Sequence, residues 1–225
     1  MTDLTPHSSR SAILTVADVV DETADARSIV FDVPAAMADK FTAYKPGQFL
    51  TLRIPSEETG SVARCYSLAS SPVSGELPKV TVKRTVDGYG SNWVCDNLTI
   101  GSQIEALPPS GVFTPADLDA PLLLIAAGSG VTPVMSILKT ALAAGNGPIV
   151  FFYANRGEND VIFAAELREL THAHDDRLTV IHWLESLSGL PTVPTLARIF
   201  SPFAGHHAYL CGPGPFMDAV HKGLA

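Results

Sequence analysis

Cysteine, clustered positive charge and long apolar runs are all scarce in this sequence, and each shortage removes a class of protein. There are three cysteines, Cys65, Cys95 and Cys211, odd in number and far apart. Such usage excludes a disulfide scaffold or a zinc ribbon and points to a reducing compartment, the cytoplasm. It also excludes a plant-type iron–sulfur cluster within these residues, because that cluster needs four thiolates. Lysine and arginine total 15 against 23 aspartates and glutamates, giving a net charge of −8. No basic cluster is present to displace the counterions of a nucleic acid, so nucleic acid is not expected as a partner, and an acidic surface disfavours acidic lipid. The strongest apolar run, Leu122–Ala127, is far short of the ~20 residues that span a bilayer. Met1–Val20 lacks a basic stretch followed by a long apolar run, so no secretory signal is read there. His172 and His174 are two residues apart and do not share a helix face, and with His206-His207 they read as solvated residues rather than metal ligands.

What is present divides into two halves. The 225 residues are 46 % hydrophobic, enough for a packed core in one large domain or two ordinary ones. In the first half, Ala12–Val20, Ser28–Val33, Phe49–Ile54, Cys65–Leu68, Val80–Arg84 and Ser102–Ala106 are short segments rich in strand-forming residues. Turn-formers such as Pro46-Gly47, Gly75 and Asp87-Gly88 separate them. The pattern predicts a six-stranded antiparallel β-barrel over residues 1–116, interrupted by one helix with Ser91 as N-cap and Asn92–Asn97 as its body.

The second half, residues 117–225, alternates strand and helix. Leu122–Ala127 has the continuous apolar character of a strand buried on both faces. Thr132 is read as a cap and Pro133 as the first residue of a helix that Gly145 stops. Ile149–Ala154, Ala164–Leu170, Leu178–His182, Thr195–Phe200, Ala208–Cys211 and Pro215–His221 continue the series. This predicts an α/β domain, a parallel sheet with helices on both faces. The boundary falls near Ala116–Ala120, where proline and aspartate accumulate.

Four segments carry chemistry. In Arg64-Cys65-Tyr66-Ser67, strand alternation puts Arg64 and Tyr66 on one face, a guanidinium beside an aromatic ring. A flavin nucleotide needs a cation for phosphate and a flat surface for its ring, and Ser67 adds a hydroxyl. Lys83-Arg84 is followed by Gly88-Tyr89-Gly90-Ser91-Asn92, where glycines before a helix free N–H groups for an anion. Gly128-Ser129-Gly130-Val131-Thr132-Pro133 joins a buried strand to a helix, the place where a doubly wound fold holds a dinucleotide phosphate, although Pro133 replaces the last glycine of the usual fingerprint. A serine-hydrolase elbow is excluded, since Ala127 and Val131 stand where it needs glycines. Cys211-Gly212-Pro213-Gly214-Pro215 shapes a tight mouth at the carboxyl edge of the sheet.

In this order the four segments resemble the ferredoxin–NADP reductase family, and the resemblance covers nearly the whole chain. It implies FAD on the barrel and NADH or NADPH on the second domain. Carried over, Arg64 contacts the flavin phosphates, Tyr66 packs on the isoalloxazine, Ser67 bonds near N5, and Cys65, Val82 and Lys83 line the flavin. Gly90, Ser91 and Asn92 take the pyrophosphate. Gly128, Gly130, Thr132 and Pro133 form the nicotinamide-cofactor loop, and Cys211, with Gly212 and Pro213, stands beside the nicotinamide. Ser67 and Cys211 are thus the candidate catalytic residues. Val82–Leu98 and Leu178–Leu190 most resemble reductase components of oxygenase systems, which implies an iron–sulfur electron acceptor and a terminal oxygenase as partners. The [2Fe–2S] cluster is then expected on a missing domain or a separate protein, and the last strand of the second domain is expected to be missing. Arg156, after the second strand of that domain, suits the 2′-phosphate of NADPH, whereas the resemblance favours NADH. The residues alone leave open a non-catalytic FAD-binding docking module and a non-flavin α/β binding protein.

Overall fold

A computed structural model describes residues 6–225, so the first five positions of the N-terminal stretch lie outside the described residues. The first half contains β1 (Ala12–Thr23), β2 (Ala26–Asp32), α1 (Ala38–Thr42), β3 (Phe49–Ser56), β4 (Gly60–Ser67), β5 (Lys79–Lys83), α2 (Tyr89–Asn97) and β6 (Gln103–Ser110). Its six strands form one antiparallel sheet in the order β4-β3-β6-β1-β2-β5. Alternation drives the curl: Leu50, Leu52 and Ile54 of β3 turn inward with Leu14, Ile29, Phe31, Val80 and Val82, while their neighbours face out. A single bridge, Leu68 to Val80, brings the chain after β4 against β5, so the sheet rolls into a barrel.

The second half contains β7 (Leu122–Ala127), α3 (Val131–Ala144), β8 (Ile149–Asn155), α4 (Ala164–Ala173), β9 (Leu178–Leu184), α5 (Glu185–Ser188), α6 (Val193–Phe200), β10 (His207–Cys211) and α7 (Gly214–Leu224). The sheet is parallel, in the order β10-β7-β8-β9. Residues of α3 and α4 pack on one face, and those of α6 and α7 on the other. Every residue of β7 is buried, as this two-sided cover demands. The strand order reverses at β7 and β10, which places a ligand crevice at their carboxyl ends. Among the described residues no helix is long and apolar enough to cross a membrane.

The halves share a core. Ala26 and Ala69 of the barrel half are buried in the cluster of α3 and α4. Ser136 Oγ donates to the Ser70 carbonyl at 2.7 Å, and the Thr140 hydroxyl donates to Ser71 Oγ at 3.0 Å, both buried.

Two helix starts differ from the sequence-based expectation. α2 opens at Tyr89 with Gly88 as its cap residue, not after Ser91. The turn Thr85–Gly88, closed by Gly88 N–H to the Thr85 carbonyl at 2.9 Å, delivers the chain straight into the helix. Ser91 instead braces that turn, accepting from Thr85 N–H at 3.1 Å and donating to the Gly88 carbonyl at 3.3 Å. Likewise α3 winds directly out of a 3₁₀ turn at Gly128–Gly130. No extended residue precedes it, and the Thr132 hydroxyl donates to the Ser129 carbonyl at 3.1 Å rather than capping. The short α1 leaves no mark in the sequence pattern, because its one buried apolar residue, Phe41, sets up no periodicity.

Gly145 does stop α3, as expected. The carbonyls there are gathered by Arg177, which donates from Nη2 to Ala141 and Gly147 at 3.2 Å each and from Nη1 to Leu142 at 3.5 Å. A cation at a helix carboxyl end also complements the dipole. Arg177→Ala is therefore expected to lower stability by about 1–3 kcal/mol, read as a fall in the thermal midpoint. An unchanged midpoint would mean that water replaces the guanidinium without loss.

Candidate functional site

The carboxyl ends of the parallel strands meet the barrel in a cleft of about 830 Å³, within the range of cofactor pockets. Both halves line it. The barrel contributes Cys65, Tyr66 and Ser67 of β4 and Thr81, Val82 and Lys83 of β5. Ser91 enters from the first turn of α2. The second half contributes Gly128, Gly130, Thr132 and Pro133 from the turn after β7, and Cys211, Gly212 and Pro213 from the end of β10. Residues far apart in sequence are thus assembled at the switch point.

Local backbone explains the glycines. Gly128 has φ of +52° with open space where a Cβ would go, so conformation requires it. Gly130 has an ordinary φ of −62°, but a Cβ there would lie 2.3 Å from the Cys211 carbonyl oxygen. Close approach requires this one. It brings the first turn of α3 against the exit of β10.

On β4, Leu52 pairs with Arg64 and Leu50 with Tyr66, so Arg64 and Tyr66 do share a face. Tyr66 is half-buried and lines the cleft, whereas Arg64 is exposed and lies outside its lining. The Arg64 stem covers Gly90: a Cβ at that position would lie 2.8 Å from Arg64 Cγ. The guanidinium therefore sits beside the first turn of α2, whose leading N–H groups have no partner inside the helix. Gly90 and Asn92 also lie outside the cleft lining. The Asn92 amide is engaged in bracing, donating to the Thr85 carbonyl at 3.1 Å and accepting from Arg84 at 3.4 Å. Its side chain is not gathered into the site. The Lys83 ammonium is also spoken for, 3.2 Å from Asp25 and 3.8 Å from Asp160, the latter another residue of the cleft lining.

Burial keeps two cleft-lining groups neutral. Burial, opposed only in part by Arg64, pushes the Tyr66 phenol up to about 12. Burial likewise pushes the Cys211 thiol up, so it offers a neutral sulfur and not a thiolate.

The cleft extends along β8 and β9 through Asn155, Arg156, Trp183, Glu185, Leu190 and Pro191. Of these, sequence reasoning found only Arg156; the rule that ligands sit at strand carboxyl ends was the signal for the others. The Trp183 indole donates to the Gly189 carbonyl at 2.9 Å, holding the Leu190-Pro191 loop over the sheet edge. Asn155 is 7 % exposed, and both polar atoms of its amide lack partners among the described residues. Tyr153, near enough for the amide to bear on its titration, turns its hydroxyl to the Gly128 carbonyl at 3.2 Å. An orphaned amide, an exposed guanidinium beside a helix start, and a glycine turn cradled on backbone fit nucleotide cofactors.

Fold and cleft together define an antiparallel barrel joined to a parallel α/β sheet, with one cleft lined by both that suits nucleotide cofactors. Residues 14–114 match the profile of the oxidoreductase FAD-binding domain, and residues 124–222 match that of the oxidoreductase NAD-binding domain. The chain is 65 % identical over 219 residues to the ferredoxin reductase component of 3-ketosteroid-9-alpha-monooxygenase from Rhodococcus rhodochrous, covering 97 % of this chain and 62 % of that protein. It is 56 % identical to the component of the same name from Mycobacterium tuberculosis H37Rv, covering 94 % of this chain and 61 % of that one. Among solved structures, the FAD/NAD-binding domain of nitric oxide dioxygenase from Vibrio cholerae superposes with a TM-score of 0.79 at 25 % identity, covering 95 % of this chain and 92 % of the other. The Amycolatopsis cytochrome P450 reductase GcoB gives 0.79 at 25 % identity, covering 96 % and 65 %. The chain belongs to the ferredoxin reductase family. It spans less than two thirds of the curated relatives, 62 % and 64 % of the first two.

Proposed function

We propose that this chain takes hydride from NADH or NADPH onto FAD and passes electrons singly to an iron–sulfur acceptor serving a terminal oxygenase. The observation that carries this reading is the single cleft lined jointly by Tyr66-Ser67 and by Cys211-Gly212-Pro213. Residues 1–116 form the flavin half and 117–225 the nicotinamide half. The flavin supplies the conversion of a two-electron donor into single electrons; the chain supplies position and electrostatics. Arg64 and the N–H groups at Gly90 and Ser91 hold the flavin phosphates. Tyr66 packs on the ring, Cys65 and Val82 flank it, and Ser67 bonds near N5. Gly128, Gly130, Thr132 and Pro133 receive the dinucleotide, and Cys211 stands beside the nicotinamide. The [2Fe–2S] cluster belongs to residues beyond this sequence or to a separate protein. The names of the relatives, reductase components of monooxygenases, support the oxygenase partner, and the cysteine usage supports the cytoplasm.

Purified protein is expected to be yellow and to bleach when NADH or NADPH is added without oxygen. Yellow protein that does not bleach would support a docking module instead, and no flavin after reconstitution would end the proposal. Arg156 suits a 2′-phosphate and Glu185, in the same cleft, suits a 2′-hydroxyl. Comparing kcat/KM for the two cofactors decides which one governs, and equal values would defeat both assignments.

A further inference from the structure

A chain of alternating charges joins the two halves. Glu76 and Lys79 belong to the barrel half, Lys139 to α3 and Glu166 to α4. Lys139 Nζ lies 2.5 Å from Glu76 Oε2 and 2.8 Å from Glu166 Oε1, and Lys79 Nζ lies 3.1 Å from Glu166 Oε2. The Lys139 side chain is only 6 % exposed. Burial alone would raise the Glu166 carboxyl, yet Lys139 and Lys79 hold it below the ordinary carboxylate range. The Lys79 ammonium also stands 5.2 Å from the centre of the Phe163 ring.

Phe163 ends the loop before α4 with φ of +63°, a left-handed conformation that a bulky side chain adopts only when its surroundings impose it. Its N–H donates to Glu22 Oε2 of β1 at 3.3 Å, again across the two halves. Three residues earlier, Asp160 faces Lys83 of β5 at 3.8 Å. The segment from Asp160 to Glu166 is thus pinned to the barrel at three points.

Stability alone does not call for charges here, since apolar residues fill such a position equally well or better. Ion pairs add direction. α3 begins at the turn Gly128–Gly130, and β5 carries Val82 and Lys83 into the cleft. Fixing Lys139 to Glu76, and Lys79 to Glu166, therefore fixes the nicotinamide loop against the flavin wall. We infer that Glu166, with Lys139, Lys79 and Glu76, is a positioning cluster that sets the geometry of hydride transfer without touching either cofactor. The hydride part rests on the function proposed above; the coupling of the two halves does not.

The test uses the full chain with flavin bound. Glu166→Gln keeps the shape and removes the charge; Glu76→Gln does the same at a partly exposed site that threatens folding least. In anaerobic stopped-flow bleaching, Glu166→Gln is expected to slow the saturating rate roughly tenfold or more, and Glu76→Gln to slow it less. The half-saturating cofactor concentration and flavin content should stay unchanged, and Glu166→Asp should recover part of the rate. In flavin-free protein, hydrogen exchange of residues 158–166 should quicken in both Gln variants. Unchanged saturating rates in both, whatever the melting temperature, would reduce the cluster to a stability staple and overturn the inference. So would a loss expressed only in the half-saturating concentration. If the unaltered protein does not bleach, the functional reading fails, and hydrogen exchange still judges the cluster: unchanged exchange in both variants overturns it.

Discussion

Gly130→Ala is expected to leave the protein yellow but almost incapable of being bleached by either nicotinamide cofactor. The added Cβ would lie 2.3 Å from the Cys211 carbonyl oxygen, 2.5 Å from its carbon and 2.7 Å from Gly212 nitrogen. All three are backbone atoms at the end of β10, so no side chain can rotate away. Either the turn at Gly128–Gly130 lifts off or Cys211-Gly212 is driven outward. Overpacking of this kind costs roughly 1–3 kcal/mol or more. Because the same shift displaces the wall proposed to hold the nicotinamide, a displacement near 1 Å is expected to slow reduction about 100-fold. The three atoms nearest the added Cβ all lie outside the barrel, so flavin retention is expected to survive. Gly128→Ala is the control: it meets no atom within 4 Å and carries only the strain of φ +52°, roughly 1–2 kcal/mol. Anaerobic bleaching and thermal melting of both variants check the argument. Equal damage from the two substitutions would show that backbone conformation, not close approach, is what the turn requires, and wild-type bleaching of Gly130→Ala would remove the turn from the site.

How far the sequence discloses this arrangement depends on the range of the interactions. The alternation of Leu50, Leu52 and Ile54 and the unbroken apolar run of β7 are local patterns dictated by burial on one face or two, and they led directly to the barrel and the parallel sheet. The turn after β7 was legible for the same reason, because strand, glycine turn and helix are contiguous. Helix starts were less legible: Ser91 and Thr132 are good capping types, but α2 already starts at Tyr89 after an extended Gly88, and α3 winds out of the Gly128–Gly130 turn with no extended residue before it. Trp183, Leu190 and Pro191 reach the cleft only because β9 lies two strands from β7 in the sheet, which no local pattern states. Glu76, Lys139 and Glu166 are similarly scattered and look like ordinary surface charges until the halves dock. Asn92 fits a phosphate-binding stretch by type, yet its amide is consumed by the Thr85–Gly88 turn, a competition visible only in three dimensions.

Arg64→Ala is expected to release the flavin, with an affinity loss of about 1.5–3 kcal/mol, or roughly 10- to 100-fold. The guanidinium is exposed, and its one hydrogen bond among the described residues goes from Nη1 to the adjacent Ala63 carbonyl at 2.8 Å. No carboxylate among the described residues lies within ion-pair distance, in contrast to Arg84, which has one, and Lys83 and Lys139, which have two each. A cation with no carboxylate partner among the described residues, next to the start of α2, is disposed for an anionic ligand. Its stem also covers Gly90, so truncation exposes the first turn of the helix, and thermal melting of the flavin-free variant must separate that effect from lost phosphate contact. Arg64→Lys sharpens the reading: it keeps a charged stem but loses the planar fork, so retention should fall between the other two. The site is exposed, so added salt should weaken flavin retention in the unaltered protein and much less in Arg64→Ala. Measuring flavin remaining after dialysis, at low and high salt, decides the matter. Full occupancy of Arg64→Ala under both conditions would mean that the N–H groups of α2 hold the phosphates unaided and that Arg64 serves only to cover Gly90.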